Sequence, residues 1–279
     1  MALSIQSNMA SMSIQNQLSR SNDSLSTALE RLGSGFKINS AKDDAAGLQI
    51  ATRLNAQVKG QEAGLYNSAN AMSMMQTAEG AFDEITNIAY RMKELATQGA
   101  SDANGTTEWA AQDAEYQALS EEIQSIMANT RFGDTQLLDA TNGKFIAAVD
   151  FQVGADTAET LNVDISGGLA DVETAIAAFG TIGTDVATIQ TEIGTVDDLI
   201  AAIGTSRSAL GASMNRLEHT MTNVTNMKEN TQAASATLMD ADFAAETSNM
   251  TKQQLLMNSG ISVLSTANST TQMIGSLLN

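Results

Sequence analysis

The chain has 279 residues, 43% of them hydrophobic and only 4% aromatic, with no proline and no cysteine. Its net charge of −18, from 14 basic against 32 acidic side chains, excludes affinity for nucleic-acid phosphate and for anionic lipid. Lack of cysteine excludes disulfides, thiolate nucleophiles and Cys-ligated zinc. Average usage would place roughly 14 prolines in such a length, so long uninterrupted helices are the expected dominant state.

The first helix is expected from about Ala2 to Leu32, stopped by Gly33-Ser34-Gly35. Up to Arg31 its ionisable side chains are Arg20, Asp23, Glu30 and Arg31 alone, and Leu18, Leu25, Leu29 and Leu32 step by 7, 4 and 3. That spacing is the seam of a helix packed on another helix. A short extended link, Phe36 to Asn39, leads to Ser40-Ala41-Lys42-Asp43, which reads as a capping box with Ser40 as N-cap. Helical periodicity then runs to about Gln98, with Met72, Met75, Phe82, Ile85, Ala89, Met92 and Leu95 in heptad-like register. After a turn over Gly99 to Gly105, a helix from Thr106 or Thr107 carries Tyr116, Leu119, Ile123 and Ile126 on one face.

The period then changes to two. Val149, Phe151 and Val153 alternate with polar residues, as do Leu161, Val163 and Ile165, and the segment between them predicts a β-hairpin. Asn142-Gly143 marks a tight turn just before it. Ser166 to Gly194, rich in Gly, Thr and Ala, reads as a small variable insert. Helix returns near Thr195, and Leu210, Met214, Leu217, Met221 and Val224 form a stripe suited to the Met72–Leu95 seam. Asp240-Ala241-Asp242 caps a last helix on which Leu264, Ala267, Thr271, Ile274 and Leu278 share a face; from Thr247 onward only Lys252 is charged. The fold class is therefore mainly α: an elongated antiparallel helical bundle with a short β-hairpin, plus a terminal coiled-coil pair.

Both end helices cover their outward faces with Ser, Asn, Gln and Thr rather than with charge. Such groups can be buried with hydrogen bonds, whereas buried charges need partners at high desolvation cost. One apolar stripe does not offset the entropy of ordering about thirty residues. The ends are therefore expected to order only when enclosed by further copies of the chain. No residue before Arg20 is basic and no long apolar run occurs, so neither a cleavable signal nor a membrane span is expected.

No enzymatic, metal or cofactor constellation is expected. His219 stands alone, without cysteine or a second histidine to complete a metal site. Asp43-Asp44, Glu121-Glu122 and Asp197-Asp198 are helix neighbours that do not face each other, so they cannot act as paired acid and base. Asp240-x-Asp242 lacks the glycine and later ligands of a calcium loop. The methionines from Met72 to Met92 read as adaptable core filler.

The run from Ser24 through Glu30-Arg31-Leu32-Gly33-Ser34-Gly35-Phe36-Lys37-Ile38-Asn39-Ser40-Ala41-Lys42-Asp43-Asp44-Ala45-Ala46-Gly47-Leu48 closely resembles the N-terminal signature of bacterial flagellins. Asn215-Arg216-Leu217-Glu218-His219-Thr220 and Asp240-Ala241-Asp242-Phe243-Ala244-Ala245-Glu246 resemble the C-terminal one. The resemblance covers residues 1–165 and 195–279; the large outer domains of longer members are missing or reduced to Ser166–Gly194.

It implies a structural subunit exported unfolded and assembled, extracellularly, into the flagellar filament. The implied organisation is an inner-core helix and linker (1–43), a rod domain with helices and hairpin (44–165), the insert (166–194), the returning rod helix (195–239) and a C-terminal inner-core helix (240–279). Implied partners are further copies of the chain, the filament cap, hook-junction proteins and an export chaperone on the C-terminal helix. An innate immune receptor is implied too, because Tyr90 to Gln98 and Glu122 resemble the patch it contacts; residue by residue the contacts would be Arg91, Leu95 and Glu122. Leu95 also falls on the core seam, and Arg91 with Glu122 also reads as a solvated ion pair. Two other classes stay open: a hook-filament junction adaptor with the same ends, and a secreted helical effector that never polymerises.

Overall fold

The computed structural model describes residues 8–101, 104–183 and 185–277. In chain order the elements are α1 Met9–Ser34, α2 Ala45–Gly99, α3 Thr106–Asn129, β1 Arg131–Phe132, β2 Thr135–Gln136, β3 Val149–Gln152, β4 Thr160–Val163, α4 Ser166–Ala177, α5 Val186–Met239 and α6 Phe243–Leu277. One 3-10 turn, Lys144–Ile146, precedes β3. Two compact units result: residues up to Ala56 with those from Asn230 onward, and Gln57–Glu229.

In the Gln57–Glu229 unit a single core draws on α2, α3, the connecting segment, β3, β4, α4 and α5. On α2 the buried positions Ala71, Met75, Ala78, Phe82, Ile85, Ala89, Met92 and Ala96 repeat at alternating steps of four and three, the spacing that keeps one face turned to a partner. That core also takes Tyr116 and Ile123 of α3, Leu137, Leu138 and Phe145 of the connecting segment, and Leu161 and Val163 of β4. The expected α2–α5 pairing is present and antiparallel: Lys93 pairs with Asp197, and Arg207 with Glu79 at 2.8 Å and Asp83 at 3.2 Å. The α5 side of the seam starts earlier than Leu210, with Val196, Leu199 and Ile203 already buried.

The hairpin forms as the alternation predicts, β3 and β4 pairing antiparallel with Val149 opposite Val163 and Phe151 opposite Leu161. A second, two-residue hairpin, Arg131 opposite Gln136, turns at Gly133 with φ 61° and left no alternation long enough to read. In the region read as an insert of little periodicity, residues 166–177 form α4, and α5 begins at Val186, well before Thr195. Leu169, Val172 and Ala175 of α4 are buried in the main core. Gly168 permits that packing, since a Cβ there would lie 2.5 Å from the Ser206 hydroxyl and 3.3 Å from its Cα.

The α4–α5 connection is held by acidic side chains. Glu192 is 5% exposed and accepts from the Tyr116 hydroxyl at 3.0 Å and the Gly180 amide at 3.1 Å. Asp113 accepts from the Ile182 amide at 2.7 Å, and the Gln117 amide group donates to the Gly180 carbonyl at 2.7 Å. Burial, with Glu192 next to it, pushes the Tyr116 phenol above its ordinary range.

Candidate functional site: the terminal helix pair and the Arg91 patch

Helix α1 begins where the Asn8 side chain accepts from the Ser11 amide at 3.1 Å and ends at Gly35. That residue adopts φ 78°, a conformation glycine reaches without steric cost. The chain then bridges to the end of α5 and the link before α6: the Lys37 amide donates to the Met239 carbonyl at 2.6 Å, and the Ala241 amide to the Gly35 carbonyl at 2.9 Å. Asp242 caps α6, accepting from the Ala244 and Ala245 amides at 2.9 and 3.1 Å. Asp240 instead bridges to Phe36.

The capping box at Ser40 takes a different form. Ser40 does not cap α2. The Asp43 carboxylate gathers the Asn39 amide, the Ser40 amide and the Ser40 hydroxyl at 3.1, 2.9 and 3.1 Å; these donors, the Ser40 amide first, hold it below the usual carboxylate range. The helix starts two residues later, at Ala45, with the Asp44 carboxylate accepting from Gly47 at 2.9 Å. Two adjacent carboxylates therefore divide the work of closing a turn and starting a helix.

α1 and α6 pack antiparallel. The Asn8 side chain donates to the Ala267 carbonyl at 3.2 Å, Leu18 sits on Gly260, and Arg31 pairs with Glu246 at 2.9 Å. A Cβ on Gly260 would lie 2.8 Å from a Leu18 methyl, so the glycine makes room for that leucine. Along α1 the inward positions are Ser11, Ile14, Leu18, Ser21, Leu25, Ala28 and Leu32, and on α6 Glu246, Met250, Gln253, Met257, Gly260, Leu264 and Ala267. Both sets alternate steps of three and four.

The expected seam residues Leu18, Leu25, Leu32, Leu264 and Ala267 lie on this line. Leu29 does not: it is 51% exposed, and Ala28 takes its place. The side chain of Ile274, and Leu278 altogether, lie outside the described residues. On the two helices Met9, Met12, Leu29, Phe243, Leu255, Leu256, Ile261, Val263 and Met273 remain exposed. Leu255 and Leu256 line a cavity of about 610 Å³ along α6 with Thr247, Ser248, Thr251, Lys252 and Ser259.

In the other unit, Arg91 is exposed on α2 but is not paired with Glu122. It binds Glu115 of α3 at 2.8 Å and Glu94 of its own helix at 2.6 Å. Helix α3 runs antiparallel to α2, as the Trp109 indole donating to the Gly99 carbonyl at 2.8 Å shows. The residue level with Arg91 is therefore Glu115, and Glu122 lies about 10 Å further along. Glu122 is exposed. Leu95, at 2% exposure, is a core residue.

His219 is exposed on α5, and among the described residues no cluster of three His, Cys, Asp or Glu is placed to hold a metal ion. No described helix is long and apolar enough to cross a membrane.

Comparison with known proteins places this architecture. The bacterial flagellin N-terminal helical region matches residues 5–143, and the bacterial flagellin C-terminal helical region matches residues 193–278. A flagellin of Halalkalibacterium halodurans is 38% identical over 90% of this chain and 90% of its own length. Polar flagellin B/D of Vibrio parahaemolyticus is 44% identical over 59% of this chain and 43% of its own; the chain thus spans less than half the length of that relative. Among solved structures, Bacillus cereus flagellin superposes with a TM-score of 0.51 at 32% identity, over 61% of this chain and 94% of that one. A Vibrio parahaemolyticus protein assigned to the flagellar hook-associated class shares the fold, with a TM-score of 0.57 at 16% identity over 71% of this chain and 99% of its own.

Proposed function

This chain belongs to the bacterial flagellin family, a family of structural proteins rather than enzymes, and from that membership we propose that it is a subunit of the flagellar filament that drives swimming. The observation that carries the reading is the unsatisfied surface of α1 and α6. Their mutual seam uses one face of each helix, yet among the described residues nine large apolar side chains stand exposed on these two helices. A soluble monomer has no use for such a surface, whereas a polymer encloses it. Apart from Arg20, Asp23, Glu30 and Lys252, the outward polar residues are uncharged, so neighbouring copies can bury most of that surface without stranding charge.

Cap and hook-junction proteins are the natural further partners, because any flagellar component presenting the same kind of paired end helices can occupy the end of the polymer. The apolar groove along α6 at Leu255 and Leu256 suits an export chaperone that shields the subunit before assembly. Arg91 and Glu122, both exposed, are our candidate contacts for an innate immune receptor, with Leu95 supporting the patch from the core. Alanine at Arg91 or Glu122 lowers the potency of monomers in a receptor-activation assay under this reading; unchanged potency removes these residues from it.

The test of the filament reading is seeded growth. Purified chain mixed with short filament fragments elongates them above a critical concentration, followed by sedimentation and electron microscopy. A chain that binds seed ends and stops growth is a junction adaptor. A chain that ignores the seeds is a non-polymerising protein.

A further inference from the structure

Between α3, the segment linking β2 to β3, and α4 lies a cavity of about 310 Å³ that assembly through the end helices does not use. It belongs to the Gln57–Glu229 unit and needs neither end helix. Its walls are apolar: Met127 and Ala128 come from α3, Ile176 and Ala177 from α4. Two carboxylates interrupt them, Asp139 of the linking segment and Glu173 of α4. Asp139 accepts from the Asn142 and Thr141 amides at 2.7 and 3.0 Å. These amides, Asn142 first and with Arg131 contributing less, hold it below the usual carboxylate range, so it carries a fixed negative charge at neutral pH. Glu173 is the opposite case. Its Oε1 is shielded from solvent and has no hydrogen-bond partner among the described residues; burial first, and Asp139 second, raise its pKa. A buried carboxylate oxygen without a donor costs free energy that a bound cation recovers.

We propose that this cavity binds a small aliphatic amine as its ammonium cation, the charged head against Glu173 Oε1 with Asp139 beside it and the hydrocarbon tail along Met127 and Ile176. The volume falls at the small end of ligand-binding clefts, and apolar walls with a few placed polar groups are the usual make-up of such clefts. The carboxylates select the head group. An anion meets negative charge and is repelled, and a neutral alcohol leaves the charge of Glu173 unbalanced. An ammonium is a compact charge with three donors and serves a single orphan oxygen, whereas a guanidinium is built to fork across both oxygens of one carboxylate. A bare metal ion leaves the apolar walls uncovered and finds no third ligand among the described residues. The amine joins α3 to α4 through one molecule, and a ligand that binds only the folded state stabilises it by mass action.

The probe is n-pentylammonium chloride, titrated at pH 7 and constant ionic strength into the dilute whole chain and followed by amide NMR. The expected result is saturable shifts centred on Met127, Ala128, Glu173 and Ile176, and a melting temperature that climbs with amine concentration. n-Pentanol has the same tail without the charge, and ammonium chloride has the charge without the tail; each should bind at least about tenfold more weakly. Glu173→Gln keeps the shape and relieves a buried charge, so the variant folds, and it should lower amine affinity about tenfold or more. The comparison among the three probes on wild-type chain stands without that variant. Shifts that spread over the acidic surface without saturating overturn the proposal, as does a Glu173→Gln chain, or n-pentanol, that binds as tightly as the wild-type pairing with the amine. If Nα-acetyl-lysine amide saturates the cavity and n-pentylammonium does not, the occupant is a protein lysine and the free-amine proposal is wrong.

Discussion

An alanine in place of Gly64 on α2 would put its Cβ 2.5 Å from the Val153 carbonyl oxygen, 2.6 Å from the carbonyl carbon and 2.9 Å from the Gly154 nitrogen. These are backbone atoms of the hairpin turn and cannot rotate away. The Val153 amide is tied to the Glu159 carbonyl at 3.0 Å, and the Asn67 side chain holds the Gln152 carbonyl at 3.2 Å. The hairpin must lift from the helix, and overpacking of this kind costs about 2–3 kcal/mol. The same substitution removes a mid-helix glycine, a gain of about 0.5–1 kcal/mol. The net expectation is a loss of about 1–2 kcal/mol. Gly80 lies on the same helix with nothing within 4 Å of its would-be Cβ, so Gly80→Ala keeps only the gain. The two variants should therefore differ by about 2–3 kcal/mol, which for a unit of this size separates their melting temperatures by roughly 4–12 °C. Thermal melts of monomers followed by circular dichroism read the difference. A Gly64→Ala variant that melts at or above Gly80→Ala refutes the claim that the hairpin seats on that glycine.

Three further expectations follow from named contacts. Tyr116→Phe deprives the buried Glu192 carboxylate of one of its two donors and should lower stability to denaturant by about 1–3 kcal/mol; no change in midpoint would mean that water replaces the hydroxyl freely. Arg31→Glu leaves two carboxylates facing each other where one half-buried pair stood and should raise the critical concentration for filament growth about tenfold, equivalent to about 1.4 kcal/mol. The Arg31→Glu, Glu246→Arg double variant recovers part of that loss, and absence of recovery argues against a direct pair. Glu173 has one buried carboxylate oxygen without a protein partner, and burial, with Asp139 nearby, raises its pKa above the ordinary glutamate value of about 4.5. The folded state then binds the proton more tightly than the unfolded chain. Stability falls as pH climbs from about 4.5 through the raised value and stays lower above it. Glu173→Gln should therefore stabilise the chain at pH 7 in denaturant titrations, with the advantage vanishing in acid; an equal advantage at both pH values would exclude titration as its source.

Much of the fold was legible because its helices obey one rule. Alternating steps of three and four reveal the α2 and α5 seams, and a switch to period two reveals the β3–β4 hairpin. What escaped is informative. From Leu25 both Ala28 and Leu29 are permitted seam positions, and hydrophobicity favours the leucine. The structure selects Ala28, in line with Ser21 and Ser11, because small residues bring the two backbones close, as Gly260 does beneath Leu18. A seam built partly of Ser, Ala and Gly is nearly invisible to a search for leucines. Helix α4 was hidden for a similar reason: it needs Gly168 against Ser206, and its buried residues are Leu169, Val172 and Ala175, with Ile176 half-buried beside them. Its connection to α5 is fixed by Asp113, Gln117 and Glu192, carboxylates and an amide that in sequence resemble any solvated charge. At the Arg91 patch the pairing was not legible in the sequence, since the partner of Arg91 depends on where the turn after Gly99 brings α3 alongside α2.

Hydrogen exchange decides most directly whether the terminal pair is made for assembly. Amides in Met9–Ser34 and Phe243–Leu277 should exchange within seconds in dilute monomers and slow by at least a thousandfold in filaments of the same protein. Amides at Phe82, Ile85, Tyr116 and Leu199 should be protected in both. Equal protection of the end helices in dilute monomer and filament would contradict the account, because the pair would then be stable without any neighbour to cover its outward apolar faces.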